Sequence, residues 1–233
     1  MFAELSIISN FTFLTGASHP EEYMMRAALL GLPAIAITDV NSVTGVVRAY
    51  SAARDIKRFV KDRESKNLIG PPRPQHIKKP PSLSLDTVPR LIPGSKFKLI
   101  DGFEITVLPK SRKGWGTLCR CLSKGRLRNN KGLCDLVIDE VSEGLGDVVL
   151  LIHPPETPWD LKKSKPWLKN STLLKKKFNR DIYIVMTPEY DGIDPKRFKH
   201  IRKLSEIIRC DLVASAHPIM HHSKRRKLAD VLT

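Results

Sequence analysis

The chain has 233 residues, of which 41% are hydrophobic and 27% are charged, and its formal charge is +16. That balance is typical of a globular protein, because a disordered chain carries fewer apolar residues. No apolar run reaches the roughly 18 residues that a membrane-spanning helix needs, and no basic, cleavable leader opens the chain. The sequence therefore predicts a cytoplasmic protein without a membrane partner.

The first forty residues predict a strand, a helix and a second strand. Short apolar runs at residues 5–9 and 34–38 predict buried strands. Between them we expect a helix over residues 19–30, because Ser18 and Glu21 have capping-box spacing and a glycine follows the last apolar position.

A second helix is predicted over residues 43–61. Its expected buried face carries Val46, Val47, Tyr50 and Ala53. Residues 62–95 then contain seven prolines, which excludes a helix or a central strand. We interpret this segment as an irregular, Pro-rich surface insertion.

Regular structure is predicted again after the insertion. Two β-type runs between residues 96 and 108 flank Asp101-Gly102, a strong hairpin signal. Residues 113–124 predict an amphipathic helix. The remaining predicted elements are strands at residues 148–152, 182–186 and 212–215 and a helix at residues 195–209. The succession favours an α/β barrel or an open parallel sheet.

Polar side chains with metal-binding capacity follow several predicted strands. Asp39 follows the second strand, His153 follows the strand at residues 148–152, and His217 and His221 follow the last strand. Functional groups of α/β folds collect at the C-terminal strand ends, so these residues are candidate ligands for zinc or manganese. No HxH or DxH spacing supports the site. The competing interpretation makes Asp39 a helix cap or turn residue and the histidines ordinary loop residues.

The positive charge is concentrated after residue 50. Residues 110–131 and 162–180 each contain eight basic residues and no acidic one. Such blocks attract polyanions, although solvated charges explain them equally well because few aromatic residues are present for base stacking. The candidate nucleic-acid surface consists of Lys110, Arg112, Lys113, Arg120, Lys124, Arg126, Arg128, Lys175, Lys176 and Lys177.

Three segments carry a family resemblance. They are the opening FAELSIISNFTFLTGASHPEEY with its continuation to residue 50, the segment VLPKSRKGWGTLCRCLSKGRLRNNKGLCDL, and the end DLVASAHPIMHHSKRRKLADVLT. In this order they resemble the N-terminal PHP (polymerase and histidinol phosphatase) domain of bacterial C-family DNA polymerases of the error-prone type. They cover about half of the chain.

The resemblance implies a single PHP-type domain over residues 1–233, folded as a distorted (β/α)7-type barrel of about seven parallel strands, with residues 62–95 as the insertion. Metal-binding members hold ions at the strand ends that support phosphodiester hydrolysis. Most of the matching positions differ here, and only Asp39 is retained. The departures are Ile8 for His, Asn10 for Asp, Val40 for His, Lys96 for Glu, and His217-Pro218-Ile219 for Asp-x-His.

These departures predict a structural domain without a cofactor and without hydrolytic activity. The chain stops where the family continues into the polymerase palm and fingers, so we expect a split gene product, a remnant or an excised domain. The parent role would be DNA-directed DNA synthesis in translesion replication and repair, with DNA and a separately encoded polymerase core as partners.

Two alternatives stay open at this point. One is a metal-dependent phosphoesterase that uses the four candidate ligands to hold zinc or manganese. The other is a non-catalytic basic module that binds nucleic acid.

Overall fold

Strands alternate with helices along most of the chain, as the sequence predicts. The computed structural model describes residues 2–65, 84–130, 132–155, 157–160 and 162–232. These residues form two compact units, each with its own sheet. The first comprises the described residues of Met1–Asp39, Val43–Pro93 and His217–Thr233, and the second comprises those of Val40–Ser42 and Gly94–Ala216. No helix within the described ranges is long and apolar enough to cross a membrane.

The first unit is built on a parallel sheet of three strands, β1 (Glu4–Ile7), β2 (Ala34–Ile37) and β3 (Arg90–Pro93), in that order. Helix α1 (Pro20–Leu30) connects β1 to β2, and α2 (Thr44–Ser65) follows β2. Apolar side chains from the sheet and both helices form the core. They are Ile7, Tyr23, Met24, Ala27, Ile35, Ile37, Ala49, Ala53, Ile56, Val60 and Val88.

Helix α1 begins one residue later than the predicted capping box requires. His19 is the N-cap, and its backbone N–H donates to Glu22 Oε2 at 2.9 Å. The capping pair is therefore His19 and Glu22 in place of Ser18 and Glu21. Gly31 ends the helix as predicted, with a φ of 68° that glycine adopts without steric cost.

The predicted buried face of α2 is wrong at two positions. Val47 and Tyr50 are 68% and 64% exposed, whereas Ala49 and Ala53 are buried. The helix therefore presents its alanines to the core, where α1 packs against it. Small side chains allow that close helix–helix approach.

The segment predicted to be irregular contains regular structure at both ends. Helix α2 continues to Ser65, and β3 pairs in parallel with β2 at residues 90–93. Pro93 is tolerated because β3 has β2 as its one neighbour in the described sheet, so no second ladder requires its missing N–H. Residues 66–83 of the predicted insertion lie outside the described residues.

The second unit is built on a five-stranded sheet. Its strands are, in spatial order, β4 (Ser95–Lys98), β5 (Glu104–Pro109), β6 (Val148–Ile152), β7 (Ile182–Met186) and β8 (Asp211–Ala214). The hairpin predicted at Asp101-Gly102 is confirmed, since β4 and β5 are antiparallel and Gly102 has a φ of 82°. The strands predicted at residues 148–152 and 182–186 are confirmed at both bounds.

The strand directions depart from the all-parallel arrangement that the resemblance implies. In the described residues, β5 runs antiparallel to both β4 and β6, while β6, β7 and β8 are mutually parallel. The described strands number eight, three in the first unit and five in the second. The α/β fold class is nevertheless confirmed.

Four helices of the described residues accompany this sheet: α3 (Arg112–Leu127), α4 (Ile138–Gly144), α5 (Lys165–Phe178) and α6 (Asp194–Ile208). The helices predicted at residues 113–124 and 195–209 are confirmed as α3 and α6, whereas α4 and α5 were not predicted. Helix α5 contacts β6 and β7, α6 contacts β7 and β8, and the two helices contact each other. They therefore lie side by side on one face of the sheet. The final helix of the chain, α7 (Arg226–Leu232), belongs to the first unit.

Two glycines of α3 have different roles and offer a matched test of its packing. A Cβ at Gly114 would lie 2.1 Å from the carbonyl oxygen of Asp147, whereas a Cβ at Gly116 would meet no atom within 4 Å. We expect Gly114→Ala to lower the free energy of unfolding by about 1–3 kcal/mol through overpacking. Gly116→Ala should raise it by about 0.5–1 kcal/mol through helix propensity. Urea denaturation measures both, and equal effects of the two substitutions would contradict the close approach of α3 to Asp147.

Candidate functional site

The Asp39 carboxylate follows β2 and is almost fully buried, with 1% of the residue exposed. Its Oδ1 accepts hydrogen bonds from the Ser9 backbone N–H at 2.8 Å, the Ser9 hydroxyl at 2.8 Å and the Thr12 hydroxyl at 3.0 Å. The Ser9 hydroxyl also lies 2.9 Å from Oδ2. Asp39 therefore fixes the segment that follows β1 against the end of β2.

The same carboxylate also binds the start of helix α2. The backbone N–H of Gly45, in the first turn of α2, donates a hydrogen bond to Asp39. A Cβ at Gly45 would lie 2.3 Å from Asp39 Oδ2, so this close approach requires glycine. Burial raises the pKa of Asp39 above its ordinary value, although the hydrogen bonds from Ser9, Thr12 and Gly45 oppose that shift. The geometry agrees with the interpretation of Asp39 as a helix cap.

His217 and His221 lie in the first unit, in the segment that precedes α7. His217 Nδ1 is 2.7 Å from the Ser6 hydroxyl and 2.9 Å from the Ser6 carbonyl oxygen. His221 Nδ1 is 2.8 Å from the Ser18 hydroxyl, which also accepts the His221 backbone N–H at 3.0 Å. Partial burial lowers the pKa of His221, and the nearby Glu22 carboxylate offsets this only in part. Both imidazoles thus anchor the C-terminal segment to the strand β1 and the start of α1.

His153 belongs to the second unit, at the end of β6, and it too is held by neighbouring protein groups. Its Nε2 is 2.9 Å from the Thr106 hydroxyl, and its backbone N–H donates to the Glu104 carbonyl at 3.0 Å. The Trp167 indole N–H donates to the His153 carbonyl at 2.7 Å. This histidine therefore joins α5 to the strands β5 and β6.

Lys96 occupies a strand position in the same unit, where the resemblance places an acid. The residue is 8% exposed, and its Nζ lies 2.7 Å from Glu104 Oε2. The register pairs Lys96 with Thr106 and Lys98 with Glu104, so the ion pair runs diagonally across the hairpin. A carboxylate that could bind a cation is here bound to an ammonium group.

The candidate ligands do not fit a zinc or manganese ion. Among the described residues, no three His, Cys, Asp or Glu side chains are grouped so that they could hold a metal ion. The Asp39 oxygens already accept several protein hydrogen bonds. A structural metal site needs about four ligands and a catalytic site about three, each free to coordinate.

Five of the ten residues of the predicted nucleic-acid surface are bound to oxygen atoms of the second unit. Lys110 pairs with Asp181 at 2.7 Å, and Arg128 pairs with Glu140 at 2.6 Å. Three further basic groups donate to carbonyl oxygens: Arg126 to Asn41, Lys175 to Asn179 and Lys177 to Ser142. The exposed remainder is Arg112, Lys113, Arg120, Lys124 and Lys176.

The sequence indicates the position of Asp39 but not the residues that bind its carboxylate. Ser9, Thr12 and Gly45 surround the carboxylate, and Ser6 and Ser18 bind the two histidines. Single serines and threonines in loops have no diagnostic spacing, so the sequence offers no signal for them. Gly45 in the first turn of a helix after a buried aspartate is the one visible hint.

Comparison with known proteins identifies the family. The profile of the PHP domain matches residues 4–153, which is more than half of the chain. The chain belongs to the PHP domain family.

Relatives of this PHP-domain chain are error-prone DNA polymerases. The chain is 37% identical to one from Ruegeria pomeroyi, covering 100% of this chain and 21% of that protein. It is 31% identical to one from Rhodopseudomonas palustris (strain BisB5), covering 100% and 18%, and 32% identical to error-prone DNA polymerase 1 of Rhizobium meliloti, covering 100% and 18%. The chain thus spans about a fifth of the length of these relatives.

Two solved structures share the fold. A candidate metal-dependent phosphoesterase from Bifidobacterium adolescentis superposes with a TM-score of 0.57 at 10% identity, covering 99% of this chain and 96% of that one. An amidohydrolase from Chromobacterium violaceum, with bound sulfate and no metal, gives a TM-score of 0.56 at 12% identity and covers 94% and 87%. At this identity the likeness concerns the fold alone.

The structural role of Asp39 is tested by Asp39→Asn. The amide keeps the size of the side chain but places an NH₂ donor where a carboxylate oxygen accepts hydrogen bonds. We expect the free energy of unfolding near pH 7 to fall by about 2–3 kcal/mol, because buried donors lose their acceptor. Urea denaturation measures the change, and Asp211→Asn, at an exposed position of β8, is the matched control with little effect expected.

The raised pKa of Asp39 adds a pH dependence to the same comparison. Because this pKa is raised, the folded protein binds the Asp39 proton more tightly than the unfolded chain does. The resulting stabilisation is complete below the unfolded-state pKa of about 3.9 and is lost as pH rises through the folded-state pKa. The stability gap between wild type and Asp39→Asn should therefore widen when pH falls from about 7 to about 4. A gap that stays constant over this range would contradict the assignment.

Proposed function

We propose that the chain is the N-terminal PHP segment of an error-prone DNA polymerase and that it acts as a structural domain. Error-prone polymerases align with its full length, and the PHP profile includes residues of both units. On this proposal the two units together form one PHP-type domain, and the predicted insertion is confined to the residues between α2 and β3.

The main support for a structural role is that the Asp39 carboxylate is buried and hydrogen-bonded to neighbouring protein groups. A cation bound there would have to displace donors from Ser9, Thr12 and Gly45, which also connect β1, β2 and α2. Losing those hydrogen bonds would leave buried donors unpaired at a cost of about 1–3 kcal/mol each. In the second unit, Lys96 sets a positive charge beside Glu104, which repels a second cation. The residues that remain are therefore suited to holding the fold.

The relatives suggest a wider role for the protein of which this chain would be a segment. The parent activity would be DNA-directed DNA synthesis in translesion replication and repair, in the cytoplasm, with DNA as the substrate. A polymerase core, encoded in the same or a separate reading frame, would supply the catalytic carboxylates. The PHP segment would pack against that core.

Metal binding and hydrolysis provide the test against the phosphoesterase alternative. We expect the purified chain, incubated with Zn²⁺ or Mn²⁺ and then dialysed, to retain less than about 0.1 equivalents of metal. It should also leave bis-(p-nitrophenyl) phosphate unhydrolysed. Retention of a full equivalent that is lost in Asp39→Ala and His217→Ala, but kept in the control His200→Ala, would establish the phosphoesterase site and overturn the structural role.

Primer extension tests the absence of polymerase chemistry in the chain itself. Purified chain, dNTPs and a primed template should give no incorporation above the blank. Incorporation that persists after repurification would refute the proposal that the catalytic groups lie elsewhere.

A further inference from the structure

Helices α5 and α6 present a continuous outward face on the second unit. Each buries one side against the sheet, through Trp167, Ser171 and Leu174 in α5 and through Ile201 and Leu204 in α6. Residues half a helical turn from these positions point to solvent.

The outward positions of both helices are basic. We call them the α5–α6 basic face, and its residues are Lys165, Lys169, Lys176, Lys199, Arg202 and Lys203, all of which are exposed. Lys165, Lys169 and Lys176 lie within about 40° of one another around the helix axis at 100° per residue. Glu206 is the one acidic residue that shares the outward side of α6 over the described length.

The charges of this face are not neutralised within the protein. Other basic groups of the same helices are engaged: Arg197 is bound by Asp191 and Asp194, and Lys175 and Lys177 donate to carbonyl oxygens. In the part of the chain that the structure describes, none of the six side chains of the α5–α6 basic face forms an ion pair or a hydrogen bond. Six exposed basic side chains without an ion-pair partner therefore lie on two adjacent helices, and Glu206 is the one acid on the outward side of α6 in the described residues.

The dimensions of the face suit a polyanion. Lys165 and Lys176 are eleven residues apart, which spans about 16 Å of helix, and adjacent helices pack about 8–10 Å apart. Six positive charges over an area of this size match the dense phosphate charge of a duplex, which carries about one charge per 1.7 Å of axis.

The side-chain chemistry selects the duplex backbone over a single strand. Single-strand binding uses exposed aromatic rings on which bases stack. On α5 and α6, Trp167 is buried and Phe178 and Phe198 are half-buried. The neighbouring ring of Trp159 is half-buried and is in contact with Lys196 of α6, whose Nζ lies 5.2 Å from the ring centroid. Within the described residues of these two helices, no exposed ring is therefore available for base stacking. Five of the six basic residues are lysines, which bind phosphate as point charges. Contacts to phosphate carry no information about base sequence. We propose that the α5–α6 basic face binds the phosphate backbone of a nucleic-acid duplex without sequence preference.

The basic residues of α3 do not extend this face. Helix α4 contacts both α3 and α5, and it carries the exposed acids Asp139, Glu140 and Glu143. One of these, Glu140, already pairs with Arg128. The negative charges on α4 separate the two basic regions, so the α3 side chains provide a control with the same kind of charge. The α5–α6 basic face lies within the second unit, and its charge is independent of the proposed polymerase origin.

Salt-dependent duplex binding by the full chain tests the proposal. Fluorescence anisotropy with a labelled 20-base-pair DNA duplex should show that log K falls linearly with log[KCl], with a slope of about −0.9 per phosphate contact. Removing three charges in Lys165→Gln/Lys169→Gln/Lys176→Gln should reduce the magnitude of that slope by about 2–3 and weaken binding about tenfold or more near 100 mM salt. The control Lys113→Gln/Arg120→Gln/Lys124→Gln removes the same charge from α3 and should change both quantities little.

A second triple variant keeps the test independent of the folding of the first. Lys199→Gln/Arg202→Gln/Lys203→Gln removes the α6 half of the face and should have a similar effect, with native circular dichroism confirming each fold. Equal loss of affinity in the α3 control would overturn the location, and tighter binding of oligo(dT) than of duplex would overturn the duplex assignment. An RNA duplex that binds with the same salt slope would support recognition of the phosphate backbone. Tighter binding of an RNA duplex than of the DNA duplex would identify RNA as the ligand.

Discussion

The buried carboxylate of Asp39 is the interaction on which the end of the first sheet depends. An ionised carboxylate with 1% exposure is costly unless several donors compensate the lost water. Here the donors come from Ser9, Thr12 and Gly45, so three chain segments converge on one charge. The same convergence makes the group a poor cation ligand, because coordination and the fold compete for the same two oxygens.

The sequence predicted those elements whose determinants are local. β6 and β7 are uninterrupted apolar runs, and Asp101-Gly102 fixes the hairpin between β4 and β5. β3 was missed because Pro93 argues against a strand, and only the edge position beside β2, which is a tertiary fact, makes the proline acceptable. α5 was missed because its buried side includes Asn170 and Ser171, which weaken the apolar period.

The sequence predicts where the candidate site lies but not whether its carboxylate binds a cation or protein donors. Asp39 could be placed after β2 from the sequence, since polar residues at the ends of buried strands are recognisable. Whether such a carboxylate binds a cation or the protein depends on hydroxyl groups such as those of Ser9 and Thr12, which are distant in sequence and have no characteristic spacing. Lys96 illustrates the same limit, since its partner Glu104 lies diagonally across a hairpin whose register the sequence does not specify.

The net charge of +16 does not by itself predict where a polyanion binds. The binding site depends on which basic groups are paired with neighbouring residues. The runs of eight basic residues at 110–131 and 162–180 look equivalent in the sequence, yet their side chains have different neighbours in the structure. Lys110, Arg126 and Arg128 of the first run are bound to oxygen atoms of the second unit, and the acids of α4 lie beside α3. In the second run, Lys175 and Lys177 also donate to carbonyl oxygens. The other lysines of α5, Lys165, Lys169 and Lys176, lie on its outward side and have no acid on their own helix. The fields of two paired, exposed charges largely cancel, and salt screens what remains. An approaching polyanion is therefore attracted by the unpaired lysines more than by the net charge of the whole chain. The location of unneutralised charge, and not its sum, therefore decides where a polyanion would bind.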